Sequence, residues 1–183
     1  MKAINLSDVK EAGQGQQLPA GGYVCKITNV EDVPEKEYLY VEFDIAEGEH
    51  KGYFKELEER ANFWGGKMFK SYKEKALPML KRFCSAVTKS NSGYIFDAGA
   101  QNSDEKTLKD KLIGLVLVEE EYLKNNGEVG TRLIVDYETD IEKIRKGEFK
   151  VKAKKVLPAD QRPKVSDANF ETIPEGVDEE VPF

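Results

Sequence analysis

Aromatic and basic side chains are interleaved in one stretch of the sequence, residues 62–72. Aromatic rings can stack on unpaired nucleic-acid bases, and lysine or arginine side chains can pair with backbone phosphates. Similar side chains flank this stretch on both sides. The candidates for such contacts are Tyr38, Tyr40, Tyr53, Trp64, Lys26, Lys51, Lys55, Lys67, Lys70 and Arg132.

Tyr40 and Trp64 are the strongest stacking candidates in this set. Tyr40 lies opposite a run of apolar residues in a predicted strand, and Trp64 stands beside two glycines among lysines. About half of the aromatic side chains in the region are expected in the core, because phenylalanine buries readily. Phe54 and Phe69 are the first that we assign to the core.

Catalytic chemistry has little support in the sequence. His50 is the only histidine, which excludes histidine-based triads and two-histidine metal motifs. Acidic clusters at 56–59 and 119–121 could bind a divalent cation, as in a metal-dependent nuclease, but such runs are usually solvated and their spacing shows no converging oxygens. We expect no enzyme activity, no metal and no cofactor, and keep the nuclease as a third alternative.

Alternation of apolar and polar residues predicts the strands that would position these side chains. Residues 23–30 and 37–46 both alternate with period two. In the second strand one face is apolar and is assigned to the core, while Tyr38 and Tyr40 lie on the other face. That apolar face consists of Leu39, Val41, Phe43 and Ile45. A third strand is predicted to begin at Tyr53 and Phe54.

The second half of the chain predicts a helix and a closing hairpin. Residues 76–87 have helical spacing, with Pro78 in the first turn. Strands at 112–119 and 131–137 flank Asn126 and Gly127, a strong turn signal. Their predicted shared core set is Ile113, Leu115, Leu117, Leu133, Val135 and Tyr137.

Five strands with one inserted helix favour a mainly β domain, a small, partly open five-stranded barrel of the OB type. A plain α+β sheet domain is the competing architecture.

Charge divides the chain into a body and a tail. The net charge is −6, yet residues 158–183 alone contain seven acidic and two basic residues, and the region 51–84 is basic. We predict a flexible lead-in at 1–17, one domain at 18–157 and a disordered acidic tail at 158–183. The absence of a long apolar run or a signal peptide predicts a cytoplasmic protein without membrane contact.

The chain ends in Asp178, Glu179, Glu180, Val181, Pro182 and Phe183, which we call the C-terminal tip. Pro182 favours an extended conformation, so Phe183 can enter an apolar pocket while the carboxylates meet basic side chains at its rim. The tip resembles the acidic C terminus of bacterial and phage single-stranded DNA-binding proteins. The body resembles phage-encoded members from Gram-positive hosts, over most of residues 18–146. The similar stretches are Leu18-Pro-Ala-Gly-Gly-Tyr-Val, Tyr38-Leu-Tyr-Val-Glu-Phe-Asp-Ile-Ala-Glu-Gly with Gly52-Tyr-Phe, and Gly130-Thr-Arg-Leu.

The resemblance implies an OB-fold that binds single-stranded DNA without sequence preference during phage replication or recombination. It implies that the tip recruits replication or recombination proteins, without catalysis or cofactor. The family has several oligomeric forms, and homo-oligomerisation stays open. The alternative is an OB-like adaptor of the same replication or recombination module that binds proteins and does not coat DNA, which the near-neutral charge of residues 1–157 favours.

Overall fold

The computed structural model describes residues 17–100 and 103–162. Over these ranges the chain is mainly β, with one five-stranded antiparallel sheet and three α-helices. The strands are β1 (Gly21–Val33), β2 (Tyr38–Ile45), β3 (Lys67–Ser71), β4 (Leu112–Leu123) and β5 (Val129–Thr139). The helices are α1 (Tyr53–Ala61), α2 (Leu77–Ser90) and α3 (Ile141–Arg145).

The strand order in the sheet is β3-β2-β1-β4-β5. β1 lies at the centre, pairing with β4 through residues 21–26 and with β2 through residues 25–33. A register shift between Ile27 and Asn29 interrupts the β1–β2 ladder, and such bulges increase local twist. In the part of the chain that the structure describes, no backbone ladder joins the edge strands β3 and β5, so the sheet is open.

The apolar face predicted for the second strand forms the centre of the core. Leu39, Val41, Phe43 and Ile45 are all buried, which confirms the prediction from alternation. The main core cluster also contains Cys25 and Ile27 of β1, together with side chains from α1, α2 and β4. The pleat of β2 therefore directs Tyr38 and Tyr40 to the opposite face.

α2 lies between β3 and β4 in the chain, as predicted for the inserted helix. Pro78 occupies its first turn, where the missing backbone N–H has no partner to lose. Leu80, Phe83 and Val87 are buried against the sheet, as the helical spacing indicates. Leu77, the first residue of the helix, is exposed.

The prediction of a third strand at Tyr53 and Phe54 is wrong, because these residues form the first turn of α1. The backbone N–H groups of Phe54 and Lys55 donate to the carboxylate of Asp44, at 2.9 and 3.4 Å. Asp44 thus satisfies donors that a helix start leaves free, and this contact from β2 favours a helix there. The third strand is β3, inside the aromatic and basic stretch.

A bulge in the closing hairpin changes one predicted core residue. Ile113, Leu115 and Leu117 of β4 are buried as predicted. The register shifts between Val116 and Leu117, so that Val116 pairs with Tyr137 while Leu117 pairs with Val135.

Because of this shift, Tyr137 does not join the main core as predicted. It packs in a second cluster with Val24, Ile141 and Ile144. Its neighbour Glu138 pairs with Leu115 instead and lies on the core side of β5.

The first residues of the predicted tail contact the sheet. Ala159–Gln161 form a 3-10 turn, and the guanidinium of Arg162 lies 2.9 Å from the carboxylate of Glu121 in β4. The predictions for residues 1–16, for 163–183 and for the C-terminal tip lie outside the described residues. Among the helices of the described ranges, none combines the length and apolar character needed to cross a membrane.

Candidate nucleic-acid interface

Three aromatic rings lie together on the outer face of β2 and β3, and we call Tyr38, Tyr40 and Phe69 the aromatic face. Tyr40 and Phe69 are paired across the two strands, and their ring centroids are 5.5 Å apart. The ring of Phe69 also contacts Tyr38 edge-on, with centroids 5.2 Å apart. Phe69 is 57% exposed, while the two tyrosines are half-buried on either side of it.

The placement of Phe69 contradicts its assignment to the core, whereas Phe54 is buried as expected. In β3 the side chains of Met68 and Lys70 point inward, so Lys67, Phe69 and Ser71 point outward. The alternating sequence of these five residues could have shown that Phe69 and Lys67 share a face. The lysine at position 70 concealed the pattern, because lysine is rarely directed inward.

A cation adjoins the aromatic face at the start of β3. Lys67 is exposed and its ammonium lies 5.6 Å from the centre of the Phe63 ring. Phe63 itself is 55% exposed and precedes β3 in the connection from α1. Together, Lys67 and Phe63 extend the outer face of β3 with one more ring and one positive charge, the two groups that a single-strand binder needs.

Two carboxylates lie beside the aromatic face, and one of them accepts a hydrogen bond from it. The Tyr40 hydroxyl donates to the Glu42 carboxylate at 3.0 Å, and Glu31 of β1 pairs with Tyr40 across the sheet. Burial, the hydrogen bond to Glu42 and the nearby carboxylates raise the pKa of Tyr40 to about 12. Tyr40 is therefore neutral at pH 7, and its ring can contact a base without adding charge.

Lys70 is largely buried, although the sequence predicts it among the cations that contact nucleic acid. Its ammonium contacts the Glu138 carboxylate on the inner side of the sheet and lies 5.8 Å from the centre of the Phe83 ring. Burial and the positive charge of Arg82 lower the pKa of Lys70 to about 8. Lys70 is thus a buried partner of an acid behind the aromatic face.

Tyr53 and Trp64 pack against the core and are not fully exposed. Tyr53 packs edge-on against Phe54, with centroids 5.3 Å apart, and its hydroxyl accepts from the backbone N–H of Leu18. The Trp64 indole donates to the backbone carbonyl of Gly66 at 2.8 Å. Both rings are half-buried, and their polar atoms are engaged in these hydrogen bonds.

The four remaining predicted cations differ in their pairing. Lys51 precedes α1 and Lys55 lies in it, and both are exposed. Lys26 lies 3.7 Å from the Asp110 carboxylate. Arg132 of β5 donates to Glu120 at 2.7 Å and its guanidinium lies over the Tyr122 ring, 5.2 Å from its centre.

No family model and no curated protein sequence matches this chain.

The acidic clusters named in the sequence are solvated or paired with cations. Glu56, Glu58 and Glu59 are all exposed on α1, and Glu120 and Glu121 of β4 accept from arginine side chains. Within residues 17–100 and 103–162, no group of three histidine, cysteine or acidic side chains is placed to hold a metal ion.

A separate cavity of about 580 Å³ lies between α2 and residues 95–99. Leu80, Phe96 and the half-buried Cys84 line it, together with lysines at its rim. Burial raises the pKa of the Cys84 thiol, which therefore stays protonated and is a poor nucleophile at neutral pH.

Proposed function

We propose that this chain binds single-stranded DNA by stacking unpaired bases on the aromatic face. The observation that carries the proposal is the exposure of Phe69 between Tyr38 and Tyr40, with Lys67 on the same side of β3. Each stacked base contributes about 1–3 kcal/mol, and any base has a ring face to offer. Binding of this kind is tolerant of sequence and weakens as salt displaces the lysine–phosphate contacts.

The same proposal includes the finer description of the fold, a partly open barrel of the OB type. Its support is an antiparallel five-stranded sheet in which β1 pairs with both β2 and β4, with α2 between β3 and β4. A side-chain contact from Lys70 of β3 to Glu138 of β5 brings the two edge strands close together. OB-folds bind oligonucleotides on the face of their second and third strands, where the aromatic face lies here.

The resemblance of the C-terminal tip to single-stranded DNA-binding proteins supports a role in phage replication or recombination, in the host cytoplasm. In that role the body coats the strand and the tip recruits a protein partner. The three carboxylates of the tip suit a basic rim, and Phe183 suits an apolar pocket in that partner.

An adaptor that binds proteins alone is the second candidate, and one observation favours it. Several cations expected to meet phosphates are paired with carboxylates instead, among them Lys26, Lys70 and Arg132. Because these side chains are already paired, the electrostatic attraction of the domain to phosphates is weaker. The adaptor would use the exposed rings to contact a protein.

Fluorescence anisotropy of a labelled oligo-dT, titrated with the full chain at low and high salt, separates the candidates. A saturable signal that weakens steeply with salt supports DNA binding. Absence of saturation at low salt contradicts the proposal and favours the adaptor. Cleavage of the oligonucleotide only when magnesium is added would favour the nuclease.

A further inference from the structure

Glu138 is a charged side chain in the interior of the protein, with only 1% of its side-chain surface exposed. One carboxylate oxygen contacts the ammonium of Lys70, and the other accepts from Nε of Arg82 at 2.9 Å. The three residues belong to β5, β3 and α2, respectively. This ion cluster therefore connects both edge strands of the sheet to the inserted helix.

The inward position of Glu138 depends on the bulge in the β4–β5 ladder. Because the register shifts at Val116 and Leu117, Glu138 pairs with Leu115 and shares its core side. Side chains alternate with period two along a strand, so without the extra residue Glu138 would face outward. The bulge therefore places the Glu138 carboxylate on the core side of β5, where it contacts Lys70 of β3.

Few side chains of β3 are directed toward the core. This strand is five residues long, lies at an edge and forms its ladder with β2 alone among the described strands. Only Met68 and Lys70 point from it toward the core, and Lys70 is the residue directly after Phe69. Adjacent strand residues face opposite sides, so a Lys70 side chain held inside keeps the Phe69 ring outside.

We infer that Glu138 is a positioning residue for the aromatic face: by binding Lys70 behind the sheet, it holds β3 in the register and orientation that present Phe69 between Tyr38 and Tyr40. The expected effect of Glu138 on DNA binding rests on the proposed function. The expected effect of Glu138 on the position of β3 does not depend on DNA. Loss of the carboxylate leaves the Lys70 ammonium buried without its counter-charge, which favours its release toward solvent and rotation of β3.

The first test needs no ligand. Amide hydrogen exchange is compared between the wild-type chain and Glu138→Gln, strand by strand. The inference expects faster exchange in β3, while the β1–β4 ladder keeps its protection. Equal acceleration in all strands would mean that Glu138 stabilises the fold in general, and would overturn the inference.

The second test is a double-mutant cycle for oligo-dT binding, with Glu138→Gln and Phe69→Ala alone and combined. If Glu138 acts through Phe69, Glu138→Gln weakens binding about tenfold in the wild-type background and less than about twofold in Phe69→Ala. Equal losses in both backgrounds overturn the positioning role and leave the proposed function standing. Wild-type affinity of Phe69→Ala overturns the proposed function itself.

Two further variants complete the experiment. Glu47→Gln removes an equal charge from an exposed pair with Arg145, and we expect unchanged oligo-dT affinity. Lys70→Met combined with Glu138→Leu replaces the buried pair by apolar side chains, a change that proteins often tolerate. Because an apolar side chain at position 70 again stays inside, this double variant should bind within about twofold of wild type, even where Glu138→Gln unfolds. Binding reduced about tenfold in a folded double variant would overturn the inference.

Discussion

The ring of Phe69 stands edge-on to that of Tyr38, with centroids 5.2 Å apart and planes inclined by 83°. Edge-to-face contact is a favoured geometry of aromatic pairs, and here it orients a phenylalanine that remains largely in solvent. The exposed part of the Phe69 ring is the surface that we propose for stacking a base.

Replacing Phe69 by alanine should weaken oligo-dT binding by about 1–3 kcal/mol, the usual contribution of one stacked base. Stability should fall by about 0.5–1.5 kcal/mol, because the substitution also removes the aromatic contacts with Tyr38 and Tyr40. Anisotropy titration and urea denaturation measure the two quantities. The matched control is Ile95→Ala, which removes an exposed apolar side chain elsewhere and should leave affinity unchanged. Equal effects of both substitutions would argue against the aromatic face.

Lys67→Gln should reduce the salt dependence of binding. If Lys67 meets one phosphate, the slope of log affinity against log salt should fall by about 0.7, the value for one contact on a single strand. Titrations at several salt concentrations measure this slope. Lys143→Gln removes the same charge from an exposed position of α3 and should leave the slope unchanged. A slope that is identical in wild type and Lys67→Gln would exclude a phosphate contact at Lys67.

Removal of residues 178–183 should leave oligo-dT affinity unchanged or increase it, because the tip carries three acidic side chains that repel phosphates. The same deletion should abolish capture of replication or recombination proteins by the immobilised chain. Neutralising the three acids while keeping Val181, Pro182 and Phe183 separates the charge effect from the apolar contact. Much weaker DNA binding by the truncated chain would show that the tip helps to hold DNA.

Gly66→Ala should destabilise the domain by about 1–3 kcal/mol or more, as overpacking does. A Cβ at this position would overlap the backbone oxygen of Phe43 and lie 2.7 Å from the Phe54 ring. Gly65→Ala is the neighbouring control, since its nearest contacts, to Phe63 and Phe54, are at 3.3 and 3.4 Å. Urea denaturation compares them. Similar losses in the two variants would mean that close packing at Gly66 is unimportant.

Tyr23 should make stability fall with pH in the alkaline range. Burial, with smaller effects of Cys25 and Tyr53, raises its pKa to about 12 from the ordinary value of about 10. Above pH 10 the unfolded chain loses this proton first, so the free energy of unfolding decreases until about pH 12. In Tyr23→Phe the decrease should be smaller, as measured by urea denaturation between about pH 9 and about pH 12. Equal decreases of the free energy of unfolding in the wild type and in Tyr23→Phe would contradict the raised pKa of Tyr23.

Local periodicity was sufficient to predict much of the fold. Strand β2, its buried face, the outward position of Tyr38 and Tyr40, helix α2 and the turn at Gly127 all follow from residues that are close in sequence. Pleat and helix geometry impose these positions wherever one face must be buried. The start of α1 was missed, because Tyr53 and Phe54 suit a strand until Asp44 supplies an acceptor for helical N–H groups there.

The aromatic face itself needed the tertiary structure. The amino-acid sequence determined that rings and lysines lie in the region 38–72, but hydrophobicity places Phe69 inside and Lys70 outside. The fold reverses both, because Glu138, 68 residues away in the chain, is turned inward by a bulge and binds Lys70. Burying a charged lysine is costly unless such a partner meets its charge there, and no local pattern of residues contains that partner.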